Sequence, residues 1–451
     1  MAKNSLTGNK KIFLILGDVI ILYLALGLSL LIRFQAEFSQ ALWQRHLLPF
    51  TIVFAIFIIV FYIDDLYEIN FGSSKYNLLS KIFKNVIISS VIAMVFFYLG
   101  QDRLFTIRPQ RVLVFNAAIF FIASYLWHLA FLALTRSAKI ANNLLIIGNN
   151  NLVAEIKKVI NEKPELGFII KKIIDNTDEE NLKNLKNICQ QNDIHSIIST
   201  IHPRENALLS KSLFDCLPLR LPFYDITTFY EKITGKVPVT TIEQVWFLEN
   251  LSENNKKLYE FLKKILEVMV AIVLLIIFLP FAPLVALAIK ATSKGPIFFS
   301  QNRLGKDGKI FKTIKFRSMV VDAEKNGAQW AVKNDPRVTK VGKILRKTRI
   351  DEIPQLFLVI TGKTSLIGPR PERPEMVEDL EKDIPFYKER LIVKPGITGW
   401  AQVMGPDYGG SKEETLEKLQ YDLYYVKNRS LALDLNIILK TIKTVLSRKG
   451  H

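Results

Sequence analysis

Four long apolar segments constrain this chain more than any other feature of its sequence. They lie near residues 12–32, 47–63, 85–100 and 112–134 of a 451-residue chain that is 49% hydrophobic. Each segment is about long enough to cross a hydrocarbon core of roughly 30 Å as a helix. The sequence therefore predicts a multi-pass membrane protein with four transmembrane helices in residues 1–139.

Charges in and around these segments bear on burial and orientation. Asp18 lies inside the first segment and is a candidate functional group, with burial against a neighbouring helix as the structural alternative. Lys3, Lys10 and Lys11 precede this segment and indicate a cytoplasmic N-terminus, although the arginines of the third loop, residues 101–111, oppose that orientation.

The middle of the chain alternates strand-like and helical runs. This pattern over residues 143–250 predicts a Rossmann-like, doubly wound α/β domain, which we assign to residues 140–254. Its first turn, GNNNLVA, lacks the further glycines with which a dinucleotide binder approaches a pyrophosphate. We therefore expect a structural or oligomerisation role, with a homodimer as the expected assembly. Cys189 and Cys216 are expected to be free thiols.

A fifth apolar stretch, Val268–Ile289, contains Pro280 and Pro283. It is either a kinked membrane span or a segment that turns back at Pro280 and leaves by the face it entered. The preceding basic stretch, Lys256–Lys264, lies either on an anionic bilayer surface or along a solvated helix face.

The last third of the chain carries a series of charged and glycine-containing motifs. They comprise Gly295–Phe311, Lys315–Met319, Gly342–Leu356, Ser365–Glu375, Lys394–Val403, Asp422–Asn428 and Leu431–Thr441. Of the five histidines and two cysteines, only His451 lies within or after these motifs. The composition therefore excludes Ser/His/Asp and Cys/His catalysis and His/Cys zinc sites from this region.

One acidic pair, Asp351 and Glu352, lies in this otherwise basic region of a chain with net charge +18. Two carboxylates among cations suit an anionic substrate bridged by Mg²⁺, such as a nucleotide diphosphate. A carboxylate can also attack phosphorus, while the structural alternative for an acidic pair before Pro354 is a helix start. The predicted phosphate-neutralising residues are Lys315, Arg317, Arg346 and Arg370.

On these motifs, from GPIFFSQNRLGKDGKIF through LRKTRIDEIPQL and GITGWAQV to DLYYVKN, the region Lys256–Gly450 resembles the polyprenyl-phosphate hexose-1-phosphate transferases. The resemblance implies a monotopic phosphoglycosyl transferase domain over residues 255–451, with a re-entrant membrane helix at about 265–290 broken at Pro280. It also implies transfer of a sugar 1-phosphate from a UDP-sugar to undecaprenyl phosphate, with release of UMP.

The resemblance assigns roles to individual residues. It implies that Asp351 is the covalent nucleophile and a Mg²⁺ ligand, and that Glu352 assists the metal or the deprotonation of the lipid phosphate. Further substrate-binding residues are predicted at Arg303, Gln402 and Asp422. Two features depart from the family pattern: Leu279 replaces the usual serine before Pro280, and the stretch Met404–Thr415 is altered.

Other functions remain open on the sequence. The same acids and Mg²⁺ would serve a membrane phosphatase or a nucleotidyl transferase, and a vestigial site would leave a scaffold for polysaccharide assembly. Charge alone would allow nucleic-acid binding, but the apolar spans favour membrane lipids and nucleotide substrates as partners. We expect a bacterial inner-membrane protein with cytoplasmic soluble domains, and the sequence does not identify the sugar.

Overall fold

The computed structural model describes residues 6–67, 75–100, 110–136, 142–251, 256–323, 325, 335–406 and 411–446. The chain divides into two compact units, Met1–Ile233 and Thr234–His451. The first unit contains the N-terminal apolar helices and the α/β sheet, and the second contains the charged motifs. The three-domain division at residues 139 and 254 stays a prediction.

The N-terminal helices confirm the prediction of four apolar helices. They are α1 (Leu6–Phe34), α2 (Gln40–Ile63), α3 (Lys75–Gly100) and α4 (Gln110–Arg136). By length and composition, each is able to cross a membrane. Phe57 and Phe120 are fully buried, whereas Leu24 and Leu126 are largely exposed on the outer surface of the helices. Helices that are apolar on both faces fit a lipid environment.

Asp18 is held inside the helical bundle. Its side chain is fully buried and accepts hydrogen bonds from Ser124 Oγ at 2.7 Å and from His128 Nε2 at 3.0 Å, both on α4. A buried carboxylate with partners on a second helix fixes how the two helices pack. These contacts support the structural interpretation of Asp18.

The α/β part of the first unit is doubly wound, as predicted. Its elements are β1 (Asn142–Ile147), α5 (Asn151–Glu162), β2 (Phe168–Ile174), α6 (Glu179–Lys183), α7 (Leu185–Gln191), β3 (Ser196–Ser199), α8 (Ala207–Asp215), β4 (Phe223–Asp225) and α9 (Ile226–Thr234). The strands are parallel in the order β2-β1-β3-β4. Along β1, Leu144 and Ile146 pack into one core, and Leu145 and Ile147 pack into the other.

The turn after β1 packs against Thr200, the residue that follows β3. Gly148 adopts φ +93°, and the side chain of Thr200 fills the space beside its Cα. Asn150 caps α5 by accepting a hydrogen bond from Val153 N at 3.1 Å. Asn150 stands where a dinucleotide binder has its second glycine for close pyrophosphate approach, which agrees with a structural role for the domain. Cys189 and Cys216 are buried free cysteines.

The second unit combines short strands with many helices. Its elements are α10 (Gln244–Asn250), α11 (Lys257–Phe278), α12 (Ala282–Thr292), β5 (Phe298–Leu304), β6 (Ile310–Phe316), α13 (Lys340–Lys347), α14 (Leu356–Ile360), β7 (Ser365–Ile367), α15 (Pro374–Asp383), β8 (Gly396–Thr398), α16 (Trp400–Met404), α17 (Lys412–Asn428) and α18 (Leu431–Leu446). β5 and β6 form an antiparallel hairpin, whereas β7 and β8 pair in parallel.

The segment before α10 packs within the second unit. Val237, Val239 and Ile242 are buried in one hydrophobic cluster with Leu304 and Leu419. The compact second unit thus begins at Thr234, before the predicted domain boundary at residue 254. Burial of three aliphatic side chains makes this segment part of the unit's core.

The long apolar helix of the second unit is broken where the sequence places Pro280. α11 and α12 are joined by a 3-10 turn, Leu279–Phe281, and together make an apolar helix over Lys257–Thr292. One face packs on the unit through Ala271, Phe278 and Ile289, while the remaining surface is apolar and exposed. That its two ends lie on the same membrane face stays a prediction.

The basic stretch Lys256–Lys264 is neither wholly a solvated helix face nor wholly available to a bilayer surface. Lys264 is exposed, but Lys263 is buried. Lys256 Nζ donates a hydrogen bond to the carbonyl oxygen of Lys427 at 2.5 Å. Part of this stretch therefore packs on the second unit, a tertiary arrangement that helical periodicity alone does not reveal.

Candidate active site

The acidic pair lies in a buried turn. Asp351 and Glu352 belong to a 3-10 turn, Ile350–Gln355, that packs against β6, and their side chains are only 5% and 7% exposed. Arg349 precedes the turn in the left-handed conformation, φ +57°. Such a backbone is costly for a residue with a side chain, so the surrounding structure must stabilise it. The turn is also the helix start that the sequence allowed.

Glu352 is held as an anion by arginines. Its Oε1 lies 2.6 Å from Arg370 NH2 and 3.9 Å from Arg349 NH1. Burial alone would raise the pKa of Glu352, but Arg370, Arg349 and Lys315 outweigh burial and bring this pKa to about 2. Glu352 is therefore charged at neutral pH and is available as an oxygen ligand.

Asp351 has different surroundings. Burial and the negative charge of Glu352 raise the pKa of Asp351, while Lys315, Arg346 and Arg349 oppose the increase. Its Oδ1 is buried without a hydrogen-bond partner within the described structure. An unpaired buried carboxylate oxygen is energetically costly. This oxygen is therefore a candidate ligand atom for a cation.

Lys315 is the lysine of β6 beside this pair. Burial lowers the pKa of Lys315 to about 8, although the charge of Glu352 acts in the opposite direction. At neutral pH the ammonium group is mostly charged. A cation that is partly desolvated in this way gains from binding an anionic ligand.

A cavity of about 440 Å³ surrounds the acidic pair. This volume is within the range of small-molecule sites. The structure brings together all nine predicted catalytic and substrate-binding residues as lining residues of this cavity, whereas Pro280 lies in the apolar helix. The nine are Arg303, Lys315, Arg317, Arg346, Asp351, Glu352, Arg370, Gln402 and Asp422.

Two of these arginines, Arg317 and Arg346, also form hydrogen bonds within the protein. The Arg317 guanidinium donates to the carbonyl oxygens of Lys294 at 3.0 Å and Ser293 at 2.7 Å, just after α12. Arg346 Nε donates to Ser318 Oγ at 2.9 Å. Arg317 thus ties the end of the apolar helix to β6, and its predicted contact with substrate stays a prediction.

Sequence reasoning missed Arg390. This buried arginine forms an ion pair with Asp422 at 2.6 Å and donates to Tyr387 Oη at 2.7 Å and to the carbonyl oxygen of Arg370 at 2.8 Å. It therefore positions the main chain of the residue that pairs with Glu352. Arg390 lies between two sequence motifs, and no local pattern marks it.

The oxygen donors of the site fit one divalent cation whose remaining ligands come from the substrate and water. Within the described residues, no three His, Cys, Asp or Glu side chains cluster as a metal site. Asp351 and Glu352 supply carboxylate oxygens, and among the residues that the structure describes Asp351 Oδ1 has no hydrogen-bond partner. Mg²⁺ typically binds one or two carboxylates together with phosphate oxygens and water. These residues fit Mg²⁺ that is completed by a phosphate substrate.

The acidic pair thus lies in a cavity lined by arginines and lysines, in a unit that carries a long apolar helix. Residues 258–448 match the family described as Bacterial sugar transferase. A protein of Rhizobium leguminosarum bv. phaseoli named "Exopolysaccharide production protein PSS" is 40% identical over 194 residues, which cover 42% of this chain and 96% of that protein. The chain belongs to the bacterial sugar transferase family.

Longer relatives match more of the chain. The UDP-N-acetylgalactosamine-undecaprenyl-phosphate N-acetylgalactosaminephosphotransferase of Aeromonas hydrophila is 42% identical over 241 residues, 52% of this chain and 55% of the relative. The UDP-glucose:undecaprenyl-phosphate glucose-1-phosphate transferase of Klebsiella pneumoniae is 36% identical over 305 residues, 62% and 63% of the two chains. The chain thus spans less than two thirds of these relatives.

Proposed function

We propose that this protein transfers a sugar 1-phosphate from a UDP-sugar to undecaprenyl phosphate and releases UMP, as a membrane step of polysaccharide synthesis. The observation that carries the proposal is the pairing of an unpartnered Asp351 oxygen with a fixed Glu352 anion inside a cavity lined by arginines. The names of the relatives support the substrates.

The proposed reaction has two displacements. In the first, an Asp351 carboxylate oxygen attacks the β-phosphorus of the UDP-sugar, the bond from this phosphorus to the bridging oxygen breaks, and UMP leaves with that oxygen. In the second, a phosphate oxygen of undecaprenyl phosphate attacks the same phosphorus and displaces Asp351. Lys315, Arg346 and Arg370 neutralise the phosphate oxygens in both displacements.

Mg²⁺ is part of the proposal. Asp351 and Glu352 would hold it, and when bound it would polarise the phosphoryl oxygens and offset their charge. The Arg370 guanidinium keeps Glu352 ionised for this purpose. We further propose that the soluble parts lie on the cytoplasmic face of a bacterial inner membrane and that the protein forms a dimer.

The test measures UMP release from a panel of UDP-sugars with undecaprenyl phosphate. The panel includes UDP-glucose and UDP-N-acetylgalactosamine, and the panel member that is consumed identifies the sugar. We expect release by the wild type, its loss with a chelator and its return with Mg²⁺. Release of inorganic phosphate or of a nucleotidyl product would favour a phosphatase or a nucleotidyl transferase, and no product at all would favour a scaffold.

Asp351→Asn should abolish both UMP release and a sugar-phosphate adduct on the protein, because the amide is a poor nucleophile. Glu352→Gln should reduce turnover by weakening cation binding. Intact-protein mass spectrometry after exposure to the UDP-sugar alone detects the adduct. Wild-type turnover by Asp351→Asn would refute the covalent step.

A further inference from the structure

We infer that Lys263 and Glu267, on the membrane helix α11, are positioning residues for the transferase site; this inference rests on the function proposed above. Both side chains are buried, each at 8% exposure, whereas the neighbouring Lys264 on the same helix is exposed. They lie one helical turn apart and face the same side. The motifs that predicted the site do not include them.

The two side chains hold the main chain of β7. Glu267 Oε1 accepts a hydrogen bond from Ile367 N at 3.1 Å, and Lys263 Nζ donates to Ile367 O at 2.9 Å. Ser365 Oγ donates to the Glu267 carboxylate at 2.7 Å. Glu267 and Lys263 thus form hydrogen bonds with both the main-chain N–H and the carbonyl oxygen of Ile367.

The charges at this contact are mutually paired. Lys263 Nζ lies 3.2 Å from Glu267 Oε1 and 3.1 Å from Asp434 Oδ2, and it donates to Tyr425 Oη at 2.8 Å. Apolar side chains would attach the helix to the unit at lower desolvation cost. A saturated polar network instead fixes one register of the helix against the strand.

The strand leads directly into the active site. Ile367 is followed by Gly368, Pro369 and Arg370, and Arg370 NH2 pairs with Glu352 at 2.6 Å. A side chain at Gly368 would collide with the carbonyl oxygen of Lys394, so the chain has little room to shift there. Displacement of Ile367 would therefore be transmitted to Arg370.

The same helix also supports the other side of the site. Further along α11, Ala271 and Leu275 pack against Leu356 and Val359 on α14, directly after the turn that carries the acidic pair. Contacts from one helix therefore set the position of both partners in the Arg370–Glu352 ion pair. In this inference, α11 positions Arg370 and Glu352 in addition to attaching the second unit to the membrane.

The test compares Lys263→Met with Lys264→Met in the full-length, membrane-reconstituted protein. Both changes remove one positive charge, but Lys264 is exposed. We expect Lys263→Met to lower kcat about tenfold or more, with a much smaller effect on KM for the UDP-sugar, because small misplacements of catalytic groups cost rate. Lys264→Met should retain wild-type kcat. Lys263→Arg should restore part of the lost activity.

Ser365→Ala provides a milder variant, because it removes one hydrogen bond to Glu267 and leaves every charge paired. We expect it to lower kcat less than Lys263→Met does and to unfold near the wild-type temperature. Hydrogen exchange of peptides covering residues 350–356 and 365–373 should increase in Lys263→Met and not in Lys264→Met. Unchanged kcat and exchange in both Lys263→Met and Ser365→Ala would overturn the inference.

The two proposals fail in different ways. A wild type that releases no UMP from any UDP-sugar refutes the proposed function, and hydrogen exchange then decides the positioning alone. An active wild type whose Lys263→Met and Lys264→Met variants match in kcat, KM and exchange refutes only the positioning role.

Discussion

The two neighbouring carboxyl groups of the acidic pair differ in pKa because their surroundings differ. Arg370 brings the pKa of Glu352 to about 2, whereas burial beside that anion raises the pKa of Asp351. Glu352 is therefore the permanent anion, and Asp351 has the more basic oxygen of the two. A more basic carboxylate is the stronger nucleophile, which agrees with the proposed division of roles.

Lys315 should give the activity an alkaline limit. Burial brings its pKa to about 8, below its ordinary value, so the positive charge is present below this pH and is lost as the pH rises through it. We expect kcat/KM for the UDP-sugar to fall above about pH 8, because kcat/KM reports the ionisation of the free enzyme.

The matched variant is Lys315→Arg. A guanidinium stays charged throughout this pH range, so the alkaline limb should move to higher pH even if the rate falls at the optimum. An alkaline limb that is identical in wild type and Lys315→Arg would assign this ionisation to another group.

At this scale, the sequence predicted residues that lie in motifs and missed residues that act through tertiary contacts. The acidic pair and the neighbouring cations were predicted because they lie in short charged motifs of the last third of the chain. Asp422 was also found, but its buried ion pair with Arg390 depends on the packing of α17 against the turn Tyr387–Ile392. Arg390 and Lys263 lie outside these motifs, and their contacts with Asp422 and Ile367 join residues that are distant in sequence.

At the scale of elements, the apolar helix over Lys257–Thr292 is the candidate membrane element of the second unit. The break at Leu279–Phe281 occurs where the sequence placed Pro280, and the packed face of the helix contacts the second unit on both sides of the break. If this helix crossed the membrane as a straight span, its central residues would lie inside the bilayer, away from a domain on one membrane face. That the two ends of this helix share one membrane face stays a prediction.

Cysteine labelling tests this topology. Single Leu258→Cys and Ser293→Cys variants, in a chain carrying Cys189→Ala and Cys216→Ala, should react with an impermeant reagent from the same side of sealed vesicles. Opposite-side labelling would establish a full span. Pro280→Ala should straighten the helix and reduce UMP release.

At the scale of the whole chain, the charged motifs and the apolar helix are contained in the second unit. The sequence predicted this content, but it placed the boundary after the segment of Val237, Val239 and Ile242. Only their burial in a cluster with Leu304 and Leu419 assigns them to the second unit.

Two truncated proteins test the boundary. A chain beginning at Thr234 should bind membranes and retain transferase activity, and one beginning at Asn255 should do so with lower stability. Each fully buried aliphatic side chain that is lost costs about 2 kcal/mol. Thermal unfolding and UMP release measure the two effects. If the Thr234 form is folded and membrane-bound yet inactive, the first unit takes part in catalysis.

The composition of the cavity wall affects how the protein must be handled. Among the described lining residues, ten are arginine or lysine and four are aspartate or glutamate. Such a surface attracts small multivalent anions from solution. Added salt screens this attraction and weakens the binding of a charged ligand. Phosphate, sulfate and citrate buffers will therefore compete with the nucleotide sugar. Zwitterionic buffers at low ionic strength will reveal its true affinity.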